Sequence, residues 1–367
     1  MKRNFTLALV ALAAAATITP CLAANDTGDR DSPRGLRQVQ DPTGSLGIFN
    51  ANGKTRTDGP FFQSLGTNGR SCATCHLAEE AFSFSAAGAR ERFEQTSGRD
   101  PLFAPVDGAN CPSATTGDRA GHSLLLQHGL IRVGITLPMK TEFTITAVHD
   151  PYGCAIVPGI TGSPSTVSVY RRPLPSTNLV FLSTVMWDGR ETFSPLDSEA
   201  TFFPNLIANL THQATDATMG HAQATKPPTA SQLSQIVDFE LGLYTAQVRD
   251  RRAGQLTSHG AEGGPLNLAN EPYYPGINDS LGADPDGNPF NPNAMTLFSG
   301  WTDLEPQDHD HEAARKDAAR RSIAAGEAVF NSAPLQISNV VASTIMRRSA
   351  SPPHSSGTAA AATTHPA

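Results

Sequence analysis

Basic side chains are not in surplus in this chain: Lys and Arg number 27 against 34 Asp and Glu, giving a formal net charge of −7. A phosphate backbone would find no basic stripe here, so a nucleic-acid partner is excluded, while solubility and a basic partner are favoured. Aromatic residues are scarce at 7%, with two Trp. After the first twenty residues no apolar run approaches the roughly 20 residues of a membrane-spanning helix, so no stable membrane anchor is expected. Gly 31 and Pro 28 of 367 residues exceed the usual combined share of about 12%. The chain is therefore soluble and loop-rich, with a mean hydropathy of −0.26. At roughly 150 residues per domain its length allows two.

The N-terminus points to export. Lys2 and Arg3 precede an uncharged run from Phe5 to Ile18, then Pro20 and the small residues Cys21, Ala23 and Ala24. That is the order of a secretory signal, with cleavage expected after Ala23 or Ala24. A buried N-terminal helix is the bland alternative, and Pro20 argues against a lipoprotein signal at Cys21. The expected destination is the periplasm.

Five cysteines are few enough to place singly. Removing Cys21 with the signal leaves Cys72, Cys75, Cys111 and Cys154. Cys111 and Cys154 either form a disulfide across a loop of about 40 residues, contributing on the order of 3–4 kcal/mol in an oxidising compartment, or stay as buried thiols.

Cys72-Ala-Thr-Cys75-His76 is C-x-x-C-H, the signature of c-type haem attachment. Two thiols at this spacing can add to the two vinyl groups of one porphyrin, and the next imidazole then becomes the proximal iron ligand. The rivals are a redox C-x-x-C and half of a zinc site, though zinc needs a second pair of ligands that Cys111 and Cys154 do not form. Candidates for the opposite side of the iron are His122, His128, Met139, His149, His212 and His221, among which spacing does not choose.

Periodicity sets the expected elements. The pattern predicts a helix around the Ser64–Glu80 segment, bringing Cys72, Cys75 and His76 to one side, and a second over Ala81–Gln95. Alternation over Glu142–Val148 and Thr166–Tyr170 predicts a hairpin. Helices are expected at Leu206–Ala224, Ser231–Arg249 and Glu312–Phe330. The second carries Leu233, Ile236, Val237, Glu240, Leu241 and Tyr244 at i, i+3, i+4 spacing. The last has Ile323, Ala324 and Val329 for its inner face. The expected fold is mainly α, a c-type cytochrome-like haem domain with one small hairpin and an incomplete second cytochrome c-like helical domain. The divisions run 1–23 (signal), 24–45 (flexible leader), 46–225 (first haem domain), 226–340 (second domain) and 341–367, a Ser/Thr/Ala/Pro-rich tail expected to be disordered.

Several stretches together resemble the bacterial di-haem cytochrome c peroxidase family, including the methylamine-utilisation di-haem enzymes. They are T-N-G-R-S-C-A-T-C-H (Thr67 to His76), H-G-L-I-R-V (His128 to Val133), V-Y-R-R-P-L-P (Val169 to Pro175), M-W-D-G-R-E (Met186 to Glu191), H-Q-A-T-D-A-T-M-G-H-A-Q (His212 to Gln223) and G-E-A-V-F-N (Gly326 to Asn331). The likeness spans about Leu46 to Val340 and rests on the order of these motifs. It implies reduction of hydrogen peroxide with electrons from a small cytochrome c or cupredoxin. It also implies that Trp187 serves as an electron route and that Gln213 belongs to the peroxide pocket. The family's pocket carboxylate does not recur at its expected place, where His221 or Gln223 stands, and a histidine there could serve as acid–base group. Some members bind calcium, for which Asp284–Asn288 (D-P-D-G-N) is a candidate, although the same run is first of all a turn signal.

The family's second C-x-x-C-H is missing. A shifted reading of the codons for Thr358 to Pro366 permits C-G-S-C-H-D-T-P, which suggests a frameshift or truncation before the second haem site. One haem is expected per chain, with impaired turnover from a protein donor. The alternatives are a mono-haem electron carrier and a non-functional truncation product.

Overall fold

The computed structural model describes residues 35–53, 55–137, 143, 147, 149–154, 166–194, 199–274, 276–278, 287–305, 310–333, 335–336 and 356–357. The signal segment 1–23, Met139, most of 142–148, Asp284–Asp286 and all of the tail 341–367 except 356–357 lie outside the described residues.

The chain enters the described region as a hairpin of β1 (Leu36–Asp41) and β2 (Gly44–Asn50). Asp41 makes the tight turn by accepting from the Thr43 and Gly44 amides at 2.6 and 2.9 Å. Residues 36–41 thus belong to a strand, not to a flexible leader. Val39 is buried in the core while its neighbours are not.

β2 pairs in turn with β5 (Leu243–Asp250), which pairs with the two-residue β6 (Gly254–Gln255), completing a four-stranded antiparallel sheet. This sheet corrects the mainly α, cytochrome c-like expectation. The helix predicted over Ser231–Arg249 ends at Gly242: α4 spans Ala230–Gly242, and the chain continues as β5. From Leu243 onward the burial changes from the helical period to alternation, with Leu243 and Thr245 inward and Tyr244 and Ala246 less buried. Tyr244 continues the helical stripe by spacing, yet its place is in a strand. The sheet also joins residues on either side of the boundary expected at 225–226, since Leu46 faces Gln247 and Ile48 faces Thr245.

A second sheet has two strands, β3 (Ile131–Thr136) and β4 (Thr166–Arg171). Thr166–Tyr170 therefore does form a paired strand, its partner being Ile131–Thr136, while most of the expected partner Glu142–Val148 lies outside the described residues. A further two-residue pairing joins Leu335–Gln336 to Ser356–Gly357.

Six α-helices occur among the described residues: α1 (Ala86–Thr96), α2 (Ser123–His128), α3 (Glu199–Gly220), α4, α5 (Pro265–Leu268) and α6 (His311–Ser332). α1 starts later than the pattern predicts because Ala81 and Phe82 both take positive φ, 55° and 56°, breaking any helix there. Ser85 then caps α1 by accepting from the Gly88 amide. α6 covers its expected span, and Ala324 is buried with Ile323 packed beside it as expected, but Val329 is 61% exposed and Asp317, Arg320 and Asn331 also face inward.

Two apolar clusters frame the C-x-x-C-H segment. Phe61, Phe82, Ile48, Ile236 and Leu243 form one, against which Cys72 packs. Phe84, Phe93, Phe103, Leu125 and Leu126 form the other, with Cys75 against it. Each cysteine leans on a different core, so the segment between them is fixed from both sides.

Candidate functional site

In place of the expected helix over Ser64–Glu80 stand two 3-10 turns, Cys72–Thr74, closed by a reciprocal Ser71–Thr74 capping box, and Ala78–Glu80. The Cys75 and His76 amides both return to the Cys72 carbonyl, at 3.1 and 3.0 Å. This compact turn places the three side chains on one cavity wall. The cavity holds about 1,610 Å³ of space free of protein atoms, counting its open mouth.

His76 is oriented from behind. Its Nδ1 lies 2.8 Å from the Phe82 carbonyl and 3.0 Å from Ser176 Oγ. The Phe82 carbonyl also accepts the Ser176 amide at 3.1 Å. The two consecutive left-handed residues, Ala81 and Phe82, turn this carbonyl back toward the imidazole, a use for backbone strain that needs a packed surrounding to persist. With the proton held on Nδ1, the Nε2 lone pair is the one left for a ligand. Burial holds the His76 pKa below the usual histidine range, which keeps the ring neutral.

The two thiols are not paired with each other. Burial pushes Cys72 up to about 12, helped by the nearby Glu240 carboxylate, and pushes Cys75 up to about 11. A redox C-x-x-C needs a depressed thiol pKa, so these cysteines have the opposite character. Among the described residues their sulfur atoms join no cluster of three ligand groups that could hold an ion.

Arg70, two residues before Cys72, is buried and fully engaged. It donates to the carbonyls of Pro101 (2.8 Å), Leu102 and Ala104 (3.0 Å each) and His221 (3.1 Å), and pairs with Asp107 at 3.0 Å. The same Asp107 Oδ2 lies 2.7 Å from His221 Nδ1. Just upstream, the Thr67 amide and the Asn68 side chain bond the Ala222 and His221 carbonyls at 3.0 and 2.8 Å. Gly66 allows this approach, since a Cβ there would sit 1.8 Å from the Ala222 oxygen. The loop that leads into Cys72 and the end of α3 are thus laced into one unit.

Trp187, Gln213 and His221 line the same cavity as Cys72, Cys75 and His76. Trp187 is 60% exposed, with the Arg171 guanidinium 5.7 Å from its ring centre, so it is not a core tryptophan. Of the other candidate ligands, His122 is buried with both ring nitrogens against the Asp118 and Phe103 carbonyls, at 2.6 and 2.9 Å. His128 and His149 are exposed. His212 turns away to Glu191, 2.8 Å from Nδ1. Met139 lies outside the described residues.

Sequence reasoning missed four residues of the site: Arg70, Asp107, Ser176 and Glu240. Arg70 stands inside the motif string Thr67–His76, and Glu240 is a carboxyl set in an apolar stripe; both were signals. Asp107 and Ser176 carried none. Cys111 and Cys154 are joined as a disulfide, their Cα separation of 5.5 Å falling in the usual range for a bridged pair. No helix among the described residues is long and apolar enough to cross a membrane. No protein-family model, curated protein or solved structure matches the chain.

Proposed function

We propose that Cys72 and Cys75 carry one haem through two thioethers, with His76 Nε2 as the proximal iron ligand, in an exported oxidoreductase that reduces hydrogen peroxide. The observation that carries the reading is the His76 ring, held at Nδ1 by the Phe82 carbonyl and lining one cavity with two unpaired thiols. The remaining wall suits the group. Leu174, Leu179, Val185, Leu206 and Leu210 supply an apolar face for the ring system. Arg171, Arg172 and Arg190 also line it, and Arg171 Nε is buried without a hydrogen-bond partner. Guanidinium groups suit the two haem carboxylates.

A haem held by Cys72, Cys75 and His76 would supply the redox chemistry of O–O bond reduction. The chain's own part is proton handling. Asp107 holds the proton of His221 on Nδ1, which leaves Nε2 basic, and His221 can then take a proton from the near oxygen of peroxide and return it to the leaving one. Two electrons and two further protons balance the conversion of H₂O₂ to two waters. Gln213, which lines the same cavity, offers an amide to orient the peroxide. Trp187, exposed at the cavity, is the point where electrons from a small cytochrome or cupredoxin would enter.

A mono-haem electron carrier is the second reading, favoured by one observation: His221 is the one described candidate ligand that lines the cavity. The optical spectrum separates them. A high-spin ferric spectrum that responds to peroxide supports the peroxidase reading; a low-spin spectrum in both oxidation states, unaltered in peroxide, supports the carrier. A haem stain with haemochrome stoichiometry comes first, and one haem per chain is the expected value.

A further inference from the structure

The four-stranded sheet carries a second cavity, which shares no residue with the cavity of Cys72 and His76. The strand register sets Gln40 of β1 beside Ser45 of β2, Ser45 beside Arg249 of β5, and Arg249 beside Gln255 of β6. Gln38, two residues before Gln40, shares its face of β1, and Arg251 follows the end of β5. All six line one depression with about 920 Å³ of space free of protein atoms, counting its open mouth. At about 4.8 Å per strand the row is roughly 14 Å long. No apolar side chain lines it.

The polar groups of this row are not spent on one another. Ser45 is 1% exposed and lines the cavity, yet its Oγ makes no hydrogen bond to a described residue. A buried hydroxyl without a partner costs stability, so its hydrogen bond has to come from whatever fills the cavity. Arg249 and Arg251 form no ion pair among the described residues, whereas Arg37, Arg92 and Arg119 each hold a carboxylate. Asp41 supplies the cavity's one carboxyl group, and its Oδ1 already accepts from the Thr43 amide, the Thr43 hydroxyl and the Gly44 amide. Two guanidiniums against one carboxylate engaged in its own turn leave the cavity positive.

The donor set selects the ligand. Guanidinium groups match carboxylates in a two-pronged geometry. Primary amides and a serine hydroxyl both donate and accept, as sugar hydroxyls do. Inorganic phosphate chiefly accepts, and would leave the glutamine carbonyls unmatched. A wholly polar lining gives an apolar ligand nothing to pack against. The geometry points to a binding site for a short acidic oligosaccharide, with a carboxylate on Arg249 and Arg251 and ring hydroxyls on Gln38, Gln40, Ser45 and Gln255. This site is independent of the haem reading, so either can fail alone.

The test is calorimetric titration of the full exported chain at low salt with digalacturonate, with lactose as the neutral disaccharide and with inorganic phosphate. Digalacturonate is expected to bind one per chain and more tightly than either control, and added salt to weaken it. Arg249→Ala should weaken binding by about ten- to a hundredfold and Gln40→Ala by several-fold. Arg37→Ala, on the other face of β1 and paired with Glu79, should bind as wild type does. No binding of digalacturonate, or equal affinity for phosphate or lactose, would overturn the assignment. So would undiminished binding by Arg249→Ala, or an equal loss in Arg37→Ala, since general charge would then account for it. Arg249, Arg251 and Gln40 are exposed, so their variants are expected to fold. If Arg249→Ala does not, Arg251→Ala decides in its place, and wild-type affinity there would overturn the site.

Discussion

Asp107 Oδ2 lies 2.7 Å from His221 Nδ1 and 3.0 Å from Arg70 Nη1, so one carboxylate oxygen ties the cavity histidine to the residue two places before Cys72. The Arg70 and Asp107 side chains are 4% and 9% exposed. In water such a pair contributes little; in this burial, removing one partner leaves an uncompensated charge.

Asp107→Asn is accordingly expected to lower stability by about 3–5 kcal/mol and to slow the peroxide reaction by about 10²- to 10⁴-fold. His221→Gln leaves the Arg70–Asp107 pair in place. It should show the same kinetic loss with a much smaller change in denaturation midpoint. Stopped-flow spectroscopy of the haem-loaded proteins with peroxide measures the first effect and urea unfolding the second. Equal peroxide rates in wild type and His221→Gln would remove His221 from the chemistry.

The disulfide offers a stability prediction independent of haem. Cys111 and Cys154 close a loop across a sequence separation of 43, for which the chain-entropy estimate is about 4 kcal/mol. The Cys111→Ser/Cys154→Ser pair should unfold at correspondingly lower denaturant with an intact C-x-x-C-H. An unchanged midpoint would mean that the bridge does not form in the exported protein.

How much of this was legible beforehand differs by residue. C-x-x-C-H is local chemistry and can be read from five consecutive letters. Arg70–Asp107–His221 is contact across more than a hundred residues, for which a single sequence carries no signal. β5 was misread because Gly242 stops α4 just where a helical stripe could continue to Tyr244, and only pairing with β2 decides for strand. The polar composition of the leader conceals β1, because Leu36 and Val39 stand three residues apart rather than at strand alternation, and only pairing with β2 shows the strand. Both errors concealed one sheet, and with it the architecture.

Glu240 gives the haem-free chain a pH dependence of definite sign. Burial raises its pKa from 4.5 to about 8 in the folded state. The unfolded chain therefore releases this proton first, and stability is greatest below pH 4.5 as far as this group is concerned. It is lost as pH rises toward 8, at about 1.4 kcal/mol per unit of difference and a few kcal/mol in total. Denaturation of the haem-free protein between pH 5 and 9 should show that decline, and Glu240→Gln should flatten it. A decline of the same size in the variant would assign the slope to other groups.

Trp187 is exposed and stacked near Arg171, so its replacement should cost little stability. Trp187→Leu is expected to slow reduction of the haem by a small donor cytochrome at least several-fold, while dithionite still reduces it fully. Reduction by the donor at the wild-type rate would place electron entry elsewhere.

The most direct measurement is the intact mass of the mature chain exported from cells with working haem-maturation machinery, followed by peptide mapping. A polypeptide beginning after Ala23 or Ala24, carrying one haem on the peptide that contains Cys72 and Cys75, is the predicted result. Mature protein at its bare polypeptide mass, with both thiols free to alkylate, would contradict the account.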